Sequence, residues 1–329
     1  MLFIDRINRL NNLHYRERIG ATNPCGEVPL PPYGACDLGS INLVRFVRAP
    51  FTTQATLDLE GIEATARVAV RFLDDVIDAS RFPLPRQAEA ARETRRIGLG
   101  VTGLADALAM LGLHYASPQA RQAAAGILER LCHAAYRSSV ELAREKGAFP
   151  AFEAAPYLAG EFVSRLPPDI REAIACHGIR NSHLLAIAPT GTISLLAGNV
   201  TSGIEPVFDL AYERRVRQAD GRREAFRVAD CAWALWRGQS GAGDPPPNCR
   251  RRRIWPCRRR CSLTWTTRSP RPSTSPAIIP SRPSAASTDR PTSWGSRASP
   301  CSAPIRSPAR CSSPTAASAA APYPRRPGF

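Results

Sequence analysis

No stretch of the 329 residues approaches the ~18 consecutive apolar residues that a bilayer-spanning helix needs, and no charged-then-apolar leader opens the chain. The expectation is a cytoplasmic protein with no membrane partner, in which thiols stay reduced unless they take part in chemistry. Histidine is scarce, at five residues. His133 and His177 each follow a cysteine, but no spacing sets them with carboxylates in a ligand pattern. They read as helix-surface or core residues, and the sequence offers no metal site. Acidic residues all but vanish near the end. From residue 250 onward there are sixteen arginines, one acid (Asp289) and no lysine, which accounts for about +15 of the formal charge of +16. A surplus of that size ordinarily points to nucleic acid or an anionic surface. Here it belongs to the tail, and the first 249 residues are close to neutral. Within them Glu213-Arg214-Arg215 and Arg222-Arg223-Glu224 mix signs, which suits solvated faces better than an anion clamp.

The body alternates helical and loop signals as an α/β protein does. Leu57 to Ala79 carries apolar residues at helical spacing (Ile62, Ala66, Val68, Val70, Phe72, Leu73, Val76, Ile77) and predicts an amphipathic helix. Pro118 to Gly147 predicts a second, with proline in its first turn and glycine at its stop. Asp169 to Cys176 predicts a shorter one. Leu184 to Ala188 is an apolar run opening into Pro-Thr-Gly-Thr, which reads as a buried strand ending in a loop. Thr190, Gly191, Thr192 and Ser194 offer that loop hydroxyls and backbone N–H groups. Such a loop can hold a diphosphate, or can be an ordinary polar strand-end turn.

Residues 21–46 say the most. Asn23, Cys25 and Glu27 stand at i, i+2 and i+4, a spacing that points all three side chains one way if the segment is extended. Pro24 and Gly26 between them disfavour helix and suit a defined loop. An amide, a thiol and a carboxylate on one face supply a hydrogen-bond donor, a one-electron or nucleophilic sulfur, and a proton acceptor. A buried structural cysteine in a Pro/Gly loop is the alternative. A second thiol, Cys36, follows a Pro-Pro-Tyr-Gly turn that can fold it back toward the first.

The longer string, N-P-C-G-E followed by P-L-P-P-Y-G-A-C-x-L-G-S-I-N-L, resembles the finger loop of the ribonucleotide reductase large subunit. Its Gly and Pro-Pro-Tyr form is most similar to the class II, adenosylcobalamin-dependent enzymes. R-R-I-G-L-G-V-T-G-L-A-D-A-L (Arg95 to Leu108) resembles the family's helical segment after that loop. H-L-L-A-I-A-P-T-G-T-I-S-L-L-A-G-N-V-T-S-G-I-E-P-V-F (His183 to Phe208) resembles its substrate diphosphate loop. The three motifs fall in family order and the resemblance spans residues 3–244.

This resemblance implies replacement of a ribonucleotide 2′-hydroxyl by hydrogen through a thiyl radical. It places the radical on Cys25, the base for the 3′-hydroxyl proton on Glu27, and hydrogen bonds to the 2′ and 3′ hydroxyls on Asn23. Cys36 becomes one of two reducing thiols, renewed by a thioredoxin- or glutaredoxin-type reductant. Pro189, Thr190, Gly191, Thr192, Ile193 and Ser194 become the diphosphate site. The implied fold is a ten-stranded α/β barrel of two half-barrels, and the implied full-length assembly a homodimer. The family's second redox cysteine lies on a strand well upstream of the loop, whereas Cys25 has only 24 residues before it. Cys132, Cys176 and Cys231 are poor substitutes, the first two reading as small core hydrophobes. A partial barrel with open sheet edges and half a thiol pair is expected to be poorly stable and to give no sustained turnover alone. A class I large subunit with a separate radical subunit is the second reading.

Residues 1–244 thus read as a partial catalytic barrel and 245–329 as a disordered Arg/Pro/Ser-rich tail. Cys249, Cys257 and Cys261 lack the paired spacing of a zinc module. The tail reads instead as an out-of-frame translation of a GC-rich gene. Shifted by one nucleotide, Thr266 to Pro280 permits D-N-A-I-S-K-T-I-N-V-P-x-D-Y-P, and Arg297 onward permits L-K-G-x-x-x-F-R-P-N-P. Both resemble segments that the family carries after the diphosphate loop. On that reading there is no nucleic-acid partner; an Arg-rich nucleic-acid-binding protein is the alternative.

Overall fold

A computed structural model of the chain describes residues 2–240, so the tail expected to be disordered lies outside the described residues. Helix α1 (Ile4–Leu10) leads to a hairpin of two-residue strands, β1 (Ala21–Thr22) and β2 (Pro29–Leu30). Strand β3 (Asp37–Asn42) passes through a 3-10 turn into a second short hairpin, β4 (Val47–Arg48) with β5 (Thr56–Leu57). Helices α2 (Leu59–Ala79) and α3 (Pro85–Thr94) then return the chain to β6 (Ile97–Thr102). β6 lies parallel to β3, in register from Asp37 opposite Ile97 to Asn42 opposite Thr102. Parallel strands need such a helical crossover, because no tight turn can join them.

Helices α4 (Leu104–Met110), α5 (Pro118–Lys146), α6 (Ala154–Ala159) and α7 (Pro168–His177) come next. A third extended stretch then lies along the other edge of β6. The Leu99 N–H donates to the Leu184 carbonyl at 2.8 Å, the Ala186 N–H donates to the Leu99 carbonyl at 3.2 Å, and Leu99 and Leu185 form a parallel bridge. Short α8 (Ile193–Leu196), the exposed hairpin β7 (Ala211–Arg217) and β8 (Arg223–Ala229), and α9 (Cys231–Ser240) complete the described chain. Three parallel strands with helices behind them are the described share of the α/β barrel. No helix among the described residues is long and apolar enough to cross a membrane.

β6 is buried along its whole length, as a central parallel strand covered on both faces must be. This corrects the expectation of a helical segment over Arg95 to Leu108. Only Leu104 onward is helical, because Gly98 and Gly100 weaken a helix while Ile97, Val101 and Thr102 favour a pleated strand. The expected helices otherwise stand, adjusted at their ends by caps. Asp58 accepts the Gly61 N–H at 2.9 Å and starts α2, leaving Leu57 to β5. Ser117 accepts the Ala120 N–H at 3.0 Å ahead of Pro118, and Gly147 closes α5. α2 buries Ile62, Ala66, Val70, Leu73 and Ile77 against the strands and α5. Val68 and Phe72, expected on that stripe, are exposed, since each lies two residues, or about 200° of helix, from a buried neighbour. Cys132 is buried in α5 as expected, whereas Cys176, in the last turn of α7, is exposed. His183 is a core histidine. Burial, and the Arg96 guanidinium beside it, hold its pKa well below the usual value.

One buried carboxylate gathers these layers. Asp74, on α2, is fully buried, and its Oδ1 accepts from Arg95 Nε at 2.8 Å and from Asn181 Nδ2 at 3.0 Å. Its Oδ2 lies 3.4 Å from both Lys146 Nζ and Arg180 Nε. Arg95, the left-handed cap of α3, also reaches Asp78 at 2.7 Å. Asp74 therefore ties α2 to the entrance of β6, the end of α5 and the run into the third strand. Stripping a buried ionic network of one member typically costs about 3–5 kcal/mol, because the remaining charges are left unpaired out of water. Asp74→Ala is expected to lose stability on that scale in urea unfolding. A loss below about 1 kcal/mol would show that the layers hold together without it.

Candidate active site

The 23–28 loop is a tight turn closed from both ends, not an extended segment. The Gly26 N–H donates to the Asn23 carbonyl at 3.0 Å, with Pro24 and Cys25 at the corner and Gly26 at φ +90°, where glycine is favoured. The Asn23 N–H donates to the Val28 carbonyl at 3.1 Å, and the Asn23 Oδ1 accepts the Val28 N–H at 3.0 Å. Alternation along a strand therefore does not orient these side chains; the turn does. Cys25 stands exposed at the corner. Asn23 has spent its side-chain oxygen on the loop, so what it offers a ligand is its amide N–H. Glu27, on the returning arm, holds its Oε2 buried and without a partner among the described residues. A buried carboxylate oxygen left unpaired costs roughly 1–3 kcal/mol or more unless a ligand satisfies it.

Cys36 follows the expected reversal. The Gly34 N–H donates to the Pro31 carbonyl at 3.0 Å, and Tyr33 takes the left-handed position of the turn at φ +61°. The chain then enters β3 with the Cys36 thiol against Gly98 of β6, where a Cβ would sit 3.3 Å from Sγ. Burial pushes this thiol up to about 12, the carboxylates of Asp37 and Glu27 add to the rise, and the Arg96 guanidinium opposes it. Glu27 thus lies close enough for its charge to act on Cys36. At neutral pH the Cys36 sulfur keeps its hydrogen, which makes it a hydrogen donor and a poor nucleophile. Alkylation followed peptide by peptide should accordingly label Cys25 readily at pH 8. Cys36 labelling should keep rising past pH 10; a plateau near pH 9 would refute the protonated thiol.

The segment after Leu185 crosses the same face of β6. A Cβ on Gly98 would lie 2.8 Å from the Ala186 Cβ, and one on Gly100 would lie 2.3 Å from the Ala186 carbonyl oxygen. The chain then reaches the Thr102 end of β6, where Thr190 Oγ1 lies 3.0 Å from Thr102 Oγ1. Cys36 and the 189–194 loop therefore share one face of one strand. Within that loop the expected hydroxyls are not all available. Thr190 and Ser194 are buried, the latter with its Oγ 3.4 Å from the Gly191 carbonyl and 3.3 Å from Ser202 Oγ. Pro189, Gly191, Thr192 and Ile193 are exposed. Thr192 is the loop's open hydroxyl.

Asp106 was not singled out from the sequence, although its A-D-A-L motif was. It is fully buried in the first turn of α4, and its Oδ2 accepts the Thr201 N–H at 2.6 Å. Asp230 lies beside it and accepts the Trp233 N–H at 3.1 Å, capping α9. Burial, then the Asp106 charge, pushes Asp230 up to about 8, and burial raises Asp106 as well. Protonation of Asp230 removes its repulsion with Asp106. The raised folded-state pKa means this stabilisation is complete below about pH 4, where an unfolded aspartate is also protonated, and is lost as pH rises to about 8. Relative to Asp230→Asn, the wild-type chain should lose thermal stability steadily between pH 4 and pH 8. A difference in Tm that is flat over that range would exclude the raised Asp230.

Residues 1–231 match the family model described as ribonucleotide reductase, barrel domain. The vitamin B12-dependent ribonucleoside-diphosphate reductase of Mycobacterium tuberculosis (strain ATCC 25618 / H37Rv) is 48% identical over 216 residues, which are 66% of this chain and 28% of that protein. The protein of the same name from Thermoplasma acidophilum is 40% identical over 216 residues, 66% of this chain and 26% of its own. The ribonucleoside-diphosphate reductase large subunit of Danio rerio is 32% identical over 230 residues, again 66% of this chain and 28% of that subunit. The chain spans about a quarter of the length of these curated relatives.

Proposed function

The chain belongs to the ribonucleotide reductase barrel-domain family, and from that premise we propose that it forms the core of an enzyme reducing ribonucleoside diphosphates to 2′-deoxyribonucleotides. The observation that supports the reading is the buried Glu27 carboxylate oxygen, without a partner among the described residues, two residues from the exposed Cys25 thiol and near enough to Cys36 for its charge to raise that thiol's pKa. The greater identity to B12-dependent relatives favours adenosylcobalamin over a separate radical subunit. Cys25 suits that cofactor, because its sulfur is exposed on a turn whose shape Asn23, Pro24 and Gly26 fix. When bound, adenosylcobalamin supplies a carbon radical able to take a hydrogen atom from a thiol.

The remaining work falls to the chain's own residues. The Cys25 sulfur, once it has lost its hydrogen, takes the hydrogen from C3′ of the ribose. Glu27 accepts the 3′-hydroxyl proton through the oxygen that is otherwise unpaired, the 2′-hydroxyl leaves as water on taking a proton from the dithiol to which Cys36 belongs, and Cys25 finally returns its hydrogen to C3′. The amide N–H of Asn23 holds the sugar hydroxyls in place. Cys36 delivers the reducing hydrogen as one half of a dithiol, renewed by a thioredoxin- or glutaredoxin-type reductant. The exposed backbone of Gly191, Thr192 and Ile193 holds the diphosphate on the face that Cys36 shares.

A chimera tests this directly. Residues 3–231 would replace the matching segment of the mycobacterial relative, and deoxyribonucleotide formation would be followed with adenosylcobalamin and a dithiol. The chimera should turn over. Glu27→Ala should cost ~10²–10⁴ in rate, as loss of a general base does, and Cys25→Ser should leave no turnover. Persistent turnover in the Cys25→Ser chimera would overturn the assignment.

A further inference from the structure

Thr190 is a β-branched residue at φ +55°, a left-handed conformation that strains its backbone. It is held there from several sides. The Ser194 N–H donates to the Thr190 carbonyl at 2.8 Å, and the Gly203 N–H donates to Thr190 Oγ1 at 2.8 Å. The Thr102 hydroxyl donates to the Thr201 carbonyl at 2.9 Å. Its hydrogen is therefore spent, and the 3.0 Å contact between the two threonine oxygens is a donation from Thr190 to Thr102. The Thr201 carbonyl also receives the Gly103 N–H at 2.7 Å, and the Thr201 N–H goes to buried Asp106. A chain of bonds runs from Gly203 through Thr190 and Thr102 to Thr201, which β6 and α4 hold at both its N–H and its carbonyl. Thr102, Thr190 and Thr201 are all buried. Beyond Thr190, Gly191, Thr192 and Ile193 are exposed, and their N–H groups have no partner among the described residues.

We propose that Thr102 is a positioning residue: its hydroxyl locks the left-handed turn at Thr190 and so presents the Gly191–Ile193 backbone to a diphosphate. This rests on reading the 189–194 loop as the diphosphate holder. It assigns the Thr190 hydroxyl to the scaffold and not to the ligand, leaving the phosphates to backbone N–H groups and the Thr192 hydroxyl. Thr102 itself touches no substrate.

The test uses the 329-residue chain, amide hydrogen exchange and inorganic pyrophosphate as the probe. In Thr102→Val the Ser194 and Gly203 amides should exchange about tenfold faster, the scale set by losing one buried hydrogen bond. The amides of Leu131 and Ala135 in α5 should keep their wild-type rates, and Thr102→Ser should restore the loop. Thr190→Ala cuts the same bond from the other end but also removes the Gly203 acceptor, so there the Ser194 amide is the readout; it should be freed as in Thr102→Val, which decides the matter if the valine variant does not fold. Pyrophosphate affinity should fall about tenfold in Thr102→Val and recover in Thr102→Ser. Unchanged loop exchange in the valine and alanine variants, or equal acceleration in α5, overturns the proposal. Should the wild-type chain bind no pyrophosphate, the diphosphate reading falls, while the exchange rates still decide whether Thr102 fixes the loop.

Discussion

Gly98 and Gly100 set the spacing on which the site depends. Both lie on the face of β6 turned away from the helices, and neither position has room for a methyl group. At Gly98 the vacant space is filled from three directions, by the Leu38 side chain, the Ala186 methyl and the Cys36 sulfur. At Gly100 the backbone of Ala186 crosses within contact distance of the strand. A conventional side chain at either place would lift the crossing segment off the strand and part the Cys36 thiol from the loop that follows Ala186. The conformational entropy that glycine costs a strand is offset here by the packing it permits.

Two buried aspartates answer the cost of a desolvated charge in different ways. Asp74 is surrounded by Arg95, Arg180, Lys146 and an amide, and so ties together four parts of the chain. Asp106 has no cation bonded to it among the described residues; it has a backbone N–H from Thr201 and, beside it, the Asp230 carboxyl, pushed up to about 8 by burial and then by the Asp106 charge. The first arrangement is a rigid clamp on the helical side of the sheet. The second leaves a buried group whose charge changes within the range of ordinary buffers, adjoining the residues that anchor the Thr190 turn.

What could be read from the sequence was local. Helices α2, α5 and α7 announced themselves by apolar period, caps and flanking Pro or Gly, all interactions within a few residues. The Asn23–Glu27 string identified itself as a chemical unit, and Pro24 and Gly26 marked it as a defined loop; the shared side-chain direction, which required an extended segment, does not carry over to the turn that forms. The stripe on α2 was drawn too wide for a related reason: Val68 and Phe72 are apolar, but only the partners across the sheet determine which apolar residues are covered. The strand at Ile97–Thr102 and the role of Thr190 were hidden more deeply. The strand had local signs in Gly98, Gly100, Ile97 and Val101, but its place in the sheet and the role of Thr190 rest on contacts between residues far apart in the chain, such as Thr102 with Thr190 and Asp106 with Thr201.

The protonated thiol of Cys36 has a bearing on how the protein ages. Peroxide and electrophiles attack sulfur as thiolate, and their rate follows the fraction ionised and its access to solvent. With its pKa pushed up to about 12, this sulfur is almost never ionised in a neutral cell, and neighbouring side chains pack against it. The exposed Cys25 has no such shelter. Oxidative damage should therefore strike the turn long before it reaches the strand, and the Cys36 thiol should stay reduced after Cys25 has been lost.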